Sequence, residues 1–146
     1  MEQLIVGFTG TRDGMTGAQK RVITMELAPL GADHQVIGLH GDCVGADADF
    51  HAICVALGYE VWIRPCTFEN LRAHCDGRVI ADPVGPMVRN REIVNQADRM
   101  LAAPPTAEML KRSGTWATVR MAMKRQGCQV VAPDGNIMRA KGVIIV

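Results

Sequence analysis

Three short segments of the chain combine glycine, hydroxyl and charged side chains in a way that suits the binding of an anion. They are Gly7-Phe8-Thr9-Gly10-Thr11-Arg12, the stretch HGDCVGAD from His40 to Asp47, and Arg112-Ser113-Gly114-Thr115. Glycine lets the backbone come close to a ligand and adopt positive φ. Hydroxyl and guanidinium groups donate hydrogen bonds to phosphate or carboxylate oxygens. These segments predict one anion-binding site, provided that the fold brings them together.

The elements that must position these segments alternate between strand and helix along the chain. Short apolar runs predict strands at 4–8, 35–41, 59–65, 99–104 and 129–133. Helical periodicity and capping signals predict helices at 16–27, 47–57 and 86–97, and a fourth that leads from the third glycine segment to 126. The stretch 66–83 reads as a loop with a turn of helix near 69–74. The tail from 135 to 146 predicts a β-hairpin with Lys141-Gly142 near its turn.

This order predicts an α/β fold, namely a three-layer Rossmann-like domain with a mostly parallel sheet and a C-terminal β-hairpin. A length of 146 residues suits a single domain spanning 1–146. In an open parallel sheet, every strand-to-helix turn lies at the same edge, and ligands bind at that edge. The three glycine segments should therefore be neighbours, and the free N–H groups of the helices that follow them should face the ligand.

The candidate ligand-binding residues come from these turns and from the helix that begins at Pro86. They are Thr9, Gly10, Thr11, Arg12, His40, Gly41, Asp42, Gly45, Asp47, Arg89, Asn90, Ser113, Gly114 and Thr115. Taken singly, each turn is also consistent with an ordinary tight turn and helix cap, and the first is neither GxGxxG nor a Walker A loop. Asp47 also fits a helix N-cap, His40 a strand end rather than a general base, and Trp116 the core rather than a base-stacking residue.

Composition narrows the function classes. The net charge of +1 lacks the basic excess of domains built for nucleic-acid backbones. Five cysteines without a CxxC pair indicate reduced thiols in a cytoplasmic protein, and the spacings of His40, Cys43, Cys66, His74 and Cys75 match no standard zinc pattern. No signal peptide or membrane-spanning run is present. We therefore expect a cytoplasmic protein with no membrane partner, no metal and no cofactor.

The blocks GFTGTR, LHGDCVGAD, MVRN, SGTWATVRMA and VVAPDG, in this order between Leu4 and Gly135, resemble the SLOG superfamily. This superfamily groups DprA (Smf), the LOG "lysine decarboxylase-like" phosphoribohydrolases and the YspA/YpsA-related proteins, and the blocks are most similar to the last branch. The resemblance implies a modified Rossmann fold that binds a nucleotide or nucleotide derivative at the glycine-rich edge, commonly as a homodimer. SLOG domains are regarded as ligand sensors in nucleotide-signalling and phage-defence systems. The resemblance gives a binding role to Gly10, Thr11, Arg12, His40, Gly41, Gly45, Asp47, Arg89, Asn90, Gly114 and Thr115.

Thr118 separates this chain from the hydrolases of that superfamily. LOG enzymes carry PGG-x-GT-x-x-E, whose glutamate works with an arginine to cleave an N-glycosidic bond, whereas this chain reads KRSGTWAT with Thr118 at the glutamate position. A threonine supplies no carboxylate to stabilise an oxocarbenium-like centre or to activate water. We therefore expect a nucleotide-binding sensor, carrier or sponge with no catalytic residue. The alternatives are a phosphoribohydrolase or nucleosidase that uses Asp42, Asp47 or Glu92 instead, and DprA-like binding of single-stranded DNA.

Overall fold

The structure, a computed structural model, describes residues 1–140. Seven strands and four α-helices follow one another along this part of the chain. The strands are β1 Glu2–Gly10, β2 His34–His40, β3 Glu60–Ile63, β4 Val79–Ile80, β5 Arg99–Ala103, β6 Cys128–Val131 and β7 Ile137–Ala140. The α-helices are α1 Gly17–Leu27, α2 Ala46–Ala56, α3 Pro86–Gln96 and α4 Gly114–Met123, and short 3-10 helices occupy Ala28–Ala32 and Glu69–Leu71.

All seven strands form one sheet in the order β4-β3-β2-β1-β5-β6-β7. Every pair is parallel except the antiparallel hairpin of β6 and β7. The chain moves outward from β1 through β2 and β3 to β4, then returns to place β5 on the other side of β1. The direction of winding reverses between β1 and β5, which opens a crevice at their carboxyl ends. The predicted α/β fold, its mostly parallel sheet and its terminal hairpin are confirmed.

Helices cover both faces of the sheet and bury two apolar layers. On one face, Ile23 of α1 and Phe50 of α2 pack against inward-facing residues of β1, β2 and β3. On the other, Ile93 of α3 and Trp116 of α4 pack against β5 and β6. Trp116 is fully buried, so the core interpretation of this residue is the correct one. The sheet therefore lies between two layers of helices, and its carboxyl edge lies beside helix N-termini.

Two of these helices begin with the hydroxyl caps that their sequences predict. The Thr16 hydroxyl accepts a hydrogen bond from the Gln19 N–H at 3.0 Å, and the Gln19 side chain accepts one from the Thr16 N–H at 2.9 Å. This reciprocal pair is a complete capping box. At α4, the Ser113 hydroxyl accepts a hydrogen bond from the Trp116 N–H at 3.3 Å. Helix α2 instead begins after Gly45, with Asp47 in its first turn rather than as its cap.

The structure departs from the sequence prediction at three places. The predicted loop 66–83 contains β4, whose Val79 and Ile80 pair with Trp62 and Ile63. A two-residue strand is too short to leave a periodicity in the sequence. Helix α4 ends at Met123 rather than at 126. The hairpin turns within 132–136, whereas the turn predicted at Lys141-Gly142 lies outside the described residues. Among residues 1–140, no helix combines the length and the apolar character of a membrane span.

Candidate functional site

A cleft of about 560 Å³ lies along the carboxyl edge of the sheet. Eleven of the fourteen candidate residues line it: Thr9, Gly10, Thr11, Arg12, Gly41, Asp47, Arg89, Asn90, Ser113, Gly114 and Thr115. Its other lining residues include Phe8, Asp13, Cys43, Cys66, Phe68, Leu71, Pro86, Ile93, Pro105, Arg112 and Thr118. The fold therefore brings the three glycine segments and the start of α3 to one place.

Strand order fixes the arrangement of groups across this cleft. Segments that follow β3, β2, β1 and β5 lie in that sequence along the sheet edge. The β3 side contributes apolar or weakly polar groups, Cys66, Phe68 and Leu71. The β1 and β5 side contributes hydroxyls and the exposed arginines Arg12 and Arg112. The cleft is thus apolar at one end and rich in hydrogen-bond donors at the other.

The first and second glycine segments are joined by backbone contacts. The Thr11 carbonyl accepts a hydrogen bond from the Ala46 N–H at 2.9 Å, which satisfies the first N–H of helix α2. A Cβ on Gly45, where φ is +91°, would overlap the Arg12 carbonyl group, and one on Gly10 would overlap the Ala46 side chain. Glycine at these two positions therefore lets the β1 turn lie directly on the start of α2.

Arg89 forms the floor of the cleft. Only 6% of this residue is exposed, and its Nη1 donates to the Gly41 carbonyl at 2.7 Å while Nε donates to the Asn90 side chain at 2.7 Å. A Cβ on Gly41 would lie only 2.7 Å from Cζ of Arg89, so glycine at 41 makes room for the guanidinium. No ion pair within residues 1–140 includes Arg89. The acceptors of its hydrogen bonds are neutral, and the Asp47 carboxyl group is close enough for its charge to interact with that of Arg89.

Asp47 brings a buried carboxyl group to the same floor. Its Oδ2 accepts hydrogen bonds from the N–H groups of Gly41 at 3.2 Å and Cys43 at 3.1 Å. Burial raises the pKa of Asp47 to about 6, although the charge of Arg89 acts in the opposite direction. Burial also raises the pKa of the Cys43 thiol, with the Asp47 carboxylate adding to the effect. The carboxyl group of Asp47 therefore changes its charge close to neutral pH.

The start of α4 forms the opposite wall. Gly114 is the first residue of this helix, Ser113 is its N-cap, and Thr115 lies in its first turn. The first N–H groups of a helix have no intrahelical partner and carry the positive end of the helix dipole. This wall can therefore donate hydrogen bonds to an anion, and the exposed Arg112 beside it adds a full positive charge.

His40, Asp42 and Gly45 are not among the residues that line the cleft. The Asp42 carboxylate accepts hydrogen bonds from Arg72 Nε at 3.0 Å and from the Cys75 N–H at 2.9 Å. This pairing fixes the 66–75 segment to the second glycine turn. Asp42 itself adopts φ of +60°, which a short polar side chain tolerates. His40, Asp42 and Gly45 therefore support the second glycine turn without lining the cleft, whereas Gly41 and Asp47 line it.

His40 is fully buried, and burial lowers its pKa to about 3. Its Nδ1 accepts the Asp42 N–H at 2.9 Å, so the ring proton of the neutral imidazole resides on Nε2 and is donated to His51 Nδ1 at 3.0 Å. The Cys75 thiol lies within 4.8 Å of both rings, which makes a three-ligand metal cluster geometrically conceivable. A protonated Nε2 cannot coordinate a metal, however. The hydrogen bond from Asp42 therefore opposes metal binding by this group.

Thr118 lies within the cleft wall but its hydroxyl is engaged. Oγ1 donates to the Gly114 carbonyl at 3.0 Å, one turn earlier in α4. Two of the three carboxylates that the sequence suggests as substitutes for a catalytic glutamate form ion pairs. Asp42 pairs with Arg72, and Glu92 pairs with Arg64 at 2.8 Å. Of the three candidates, Asp47 alone lines the cleft.

Sequence reasoning missed the contribution of the 66–71 segment to the cleft. Cys66, Phe68 and Leu71 reach it because two isolated β-bridges, Cys43 with Arg72 and Cys66 with Val84, hold this segment over the sheet edge. Its position directly after β3 was the available signal, since the carboxyl end of every parallel strand points to the same edge. The lack of glycine and of periodicity in the segment concealed it.

No protein-family model matches the chain, and no curated protein matches it in sequence. Solved structures do share its fold. The X-ray structure of TM1055 has a TM-score of 0.56 at 17% identity, over 84% of this chain and 69% of that chain. The structure of DNA processing protein A from Helicobacter pylori, which describes its single-stranded DNA binding mode, has a TM-score of 0.59 at 17% identity, over 90% and 69% of the two chains. These likenesses show a Rossmann-like α/β fold for this chain.

Proposed function

We propose that the cleft binds a nucleotide or nucleotide-derived ligand through its phosphate group, and that the protein acts as a sensor, carrier or sponge for that ligand. The observation that carries the proposal is Arg89, a buried guanidinium at the floor of the cleft that forms no ion pair within residues 1–140, although its charge interacts with that of Asp47. Incomplete compensation of a buried charge costs free energy, and the compensation by Asp47, whose pKa is about 6, weakens as that carboxyl group becomes protonated. A phosphate bound beside Arg89 would offset that cost, so the cleft favours an anionic ligand.

Groups around Arg89 complete an anion site in this proposal. The N–H groups at the start of α4 and the hydroxyls of Thr11 and Ser113 donate hydrogen bonds, while Arg12 and Arg112 add charge at the mouth. Charge-assisted hydrogen bonds from several directions select phosphate over neutral ligands. A cleft of about 560 Å³ also has room for more than a phosphate group alone, which fits a nucleotide rather than an inorganic ion.

A thermal-shift panel tests the proposal. AMP, ADP, ATP, ADP-ribose and cyclic dinucleotides are compared with inorganic phosphate on the purified protein. A ligand that binds only the folded state raises the melting temperature, so at least one nucleotide should do so and inorganic phosphate should do so less. Absence of a shift with every compound, from a protein shown to be folded by circular dichroism, would contradict the proposal.

Charge-removal variants assign any shift to the cleft. Arg12→Met and Arg112→Met remove exposed charges that line it, whereas Arg91→Met removes an exposed charge on α3 outside it. Each of the first two should weaken nucleotide binding by several-fold, and the third should leave it unchanged. Equal effects from all three would indicate general attraction of anions rather than binding in the cleft.

Asp47 supports a second candidate, an N-glycosidic hydrolase. It supplies the carboxylate that Thr118 lacks, and its raised pKa of about 6 suits a general base near neutral pH. In such a reaction the carboxylate takes a proton from water while the water oxygen bonds to the anomeric carbon. The C–N glycosidic bond breaks, its electron pair leaves with the nucleobase, and the nucleobase takes up a proton from the protonated Asp47 or from solvent. Nucleoside monophosphates incubated with the protein would release free base, detected by chromatography, and Asp47→Asn would abolish the release. Intact nucleotides after long incubation of the wild-type protein would exclude this activity.

Single-stranded DNA is the competing ligand class, because one of the similar structures is that of a protein with a single-stranded DNA binding mode. Fluorescence anisotropy of a labelled thymidine oligonucleotide at low and moderate salt distinguishes binding of single-stranded DNA from binding of a mononucleotide. Binding to a DNA backbone must weaken steeply as salt rises, whereas binding of a mononucleotide in the cleft depends on salt less. Tight, salt-sensitive oligonucleotide binding with no mononucleotide binding would replace our proposal.

Three further proposals concern the family branch, the oligomeric state and the cellular location of the protein. We propose that the chain belongs to the YspA/YpsA-related branch of the SLOG superfamily, because its motif blocks are most similar to that branch. That resemblance implies a homodimer or higher homo-oligomer. Light scattering coupled to size-exclusion chromatography tests the assembly. The five free cysteines fit the reducing cytoplasm.

A further inference from the structure

Phe68 is an exposed aromatic ring at the apolar end of the cleft. Its residue surface is 53% exposed although it lines the site. The second phenylalanine of the lining, Phe8, is buried and stacked on Phe50 with ring centroids 4.5 Å apart. Among the phenylalanine, tyrosine and tryptophan rings of residues 1–140, Phe68 is thus the one that both lines the cleft and remains exposed.

The backbone beneath Phe68 is held in place from both sides. On one side, the Thr67 N–H donates to the Val84 carbonyl at 3.1 Å. On the other, the Val44 N–H donates to the Leu71 carbonyl at 2.9 Å, and the Phe68 carbonyl itself accepts the Leu71 N–H at 3.0 Å. Binding to an aromatic group on a fixed backbone costs less conformational entropy than ordering a mobile loop.

The position of Phe68 relative to the anion-binding groups gives the ligand an orientation. Phe68 follows β3, while Arg12 follows β1 and Ser113 lies beyond β5, so the aromatic ring and the donors occupy opposite sides of the cleft. Arg89 lies between them, because its guanidinium contacts the Gly41 carbonyl at the end of β2 and the Arg64 carbonyl at the end of β3. A ligand that satisfies both ends has a phosphate at one end and a planar apolar group at the other.

Building on the proposed function, we propose that Phe68 stacks on the heterocyclic base of the bound nucleotide and selects nucleotides against sugar phosphates. The phosphate then faces the start of α4, and the base lies over the β3 side. Every nucleobase has a π-face, so this contact favours aromatic ligands without choosing strongly among them. Purines, with the larger ring surface, should benefit more than pyrimidines.

Calorimetric titration tests the assignment with AMP, UMP and ribose 5-phosphate as probes. Phe68→Ala should weaken AMP binding by roughly 5- to 100-fold, the range that base stacking on an aromatic side chain contributes. Its effect on UMP should be smaller, and ribose 5-phosphate should bind within about twofold of wild type. Phe68→Trp should retain or improve AMP binding, because it keeps the stacking surface.

Met87→Ala is the matched control. Met87 is 52% exposed, close to the exposure of Phe68, and it is not part of the cleft lining. Truncation there should leave all three affinities unchanged. Both truncations remove an exposed side chain, so circular dichroism should show folded proteins in each case.

The possible outcomes separate this assignment from the proposed function. If AMP binds the wild type and Phe68→Ala binds AMP equally well, the stacking role is overturned while nucleotide binding stands. Equal loss of AMP and ribose 5-phosphate affinity in Phe68→Ala would also overturn it, because the ring would then support the cleft rather than the base. Failure of the wild type to bind AMP, UMP and every other nucleotide of the thermal-shift panel would overturn both proposals.

Discussion

Replacing Gly41 with alanine should disturb Arg89 more than any other part of the cleft. A Cβ at position 41 would approach Nη1, Cζ and Nε of Arg89, and the last two distances would be 2.7 and 3.0 Å. The whole guanidinium must therefore move, because all three of these atoms are too close for rotation about its terminal bonds to relieve the overlap. Moving it breaks the 2.7 Å hydrogen bond from Nη1 to the Gly41 carbonyl.

The magnitude follows from two contributions. Overpacking of a buried site costs about 1–3 kcal/mol, and loss of a hydrogen bond from a charged donor costs about 1.5–3 kcal/mol. Part of each is recovered as the side chain relaxes, so we expect Gly41→Ala to lower the free energy of unfolding by about 2–3 kcal/mol. That change corresponds to a drop of roughly 5–12 °C in melting temperature for a domain of this size.

Affinity for a nucleotide should fall in the same variant. Displacing a guanidinium that faces the phosphate should weaken binding by roughly 10- to 100-fold, which corresponds to one charge-assisted hydrogen bond. Scanning calorimetry measures the stability change, and isothermal titration measures the affinity.

Gly17→Ala is the matched control for this substitution. A Cβ at position 17 meets no atom within 4 Å, and Gly17 is the first residue of α1, away from the cleft. Alanine there should preserve or slightly raise stability and leave affinity unchanged. If Gly41→Ala behaves like Gly17→Ala, the close packing of Arg89 on Gly41 is refuted. If it loses stability but keeps full affinity, Arg89 supports the turn without binding the ligand.

Three further predictions concern Ser113, Asp47 and Thr118. Ser113→Ala should lower the free energy of unfolding by about 1 kcal/mol and also weaken nucleotide binding. Thr16→Ala removes a cap outside the cleft and should lower stability alone. Thermal melts measure the stability of each variant, and titrations measure its affinity. Sulfate should bind less tightly as pH rises through about 6, because ionised Asp47 repels it while the charge of sulfate itself stays constant in this range. Asp47→Asn should remove this pH dependence of the affinity. Titrations at several pH values would contradict the prediction if the wild type and Asp47→Asn gave the same profile. Thr118→Val should leave affinity within about twofold, because Oγ1 donates to the Gly114 carbonyl rather than into the cleft; a larger loss would show that the hydroxyl contacts the ligand.

The sequence was sufficient to predict the fold class because alternating strands and helices leave few acceptable topologies. It also predicted that the three glycine segments meet, since parallel strands end at one edge. The capping box at Thr16 was recognisable for a similar reason, because its two hydrogen bonds depend on residues only three positions apart.

Features set by contacts between distant segments could not be predicted. Arg89 in isolation is as consistent with a solvated helix face as with a buried floor, and its burial depends on the absence of a side chain at Gly41, 48 positions away. Contacts with distant segments also decide that Asp47 lines the cleft and Asp42 does not. Arg72 and the Cys75 N–H turn the Asp42 carboxylate away from the cleft, while Asp47 faces it from the first turn of α2. Phe68 reaches the site through β-bridges that involve no recognisable motif.

The most direct test of nucleotide binding in the cleft is a crystal soaked with AMP. The account predicts phosphate density at the start of α4, within hydrogen-bond distance of Ser113 or Thr115 and facing Arg89, with the adenine ring over Phe68. Density for AMP at another surface, or an empty cleft in crystals of a protein that binds AMP in solution, would contradict it.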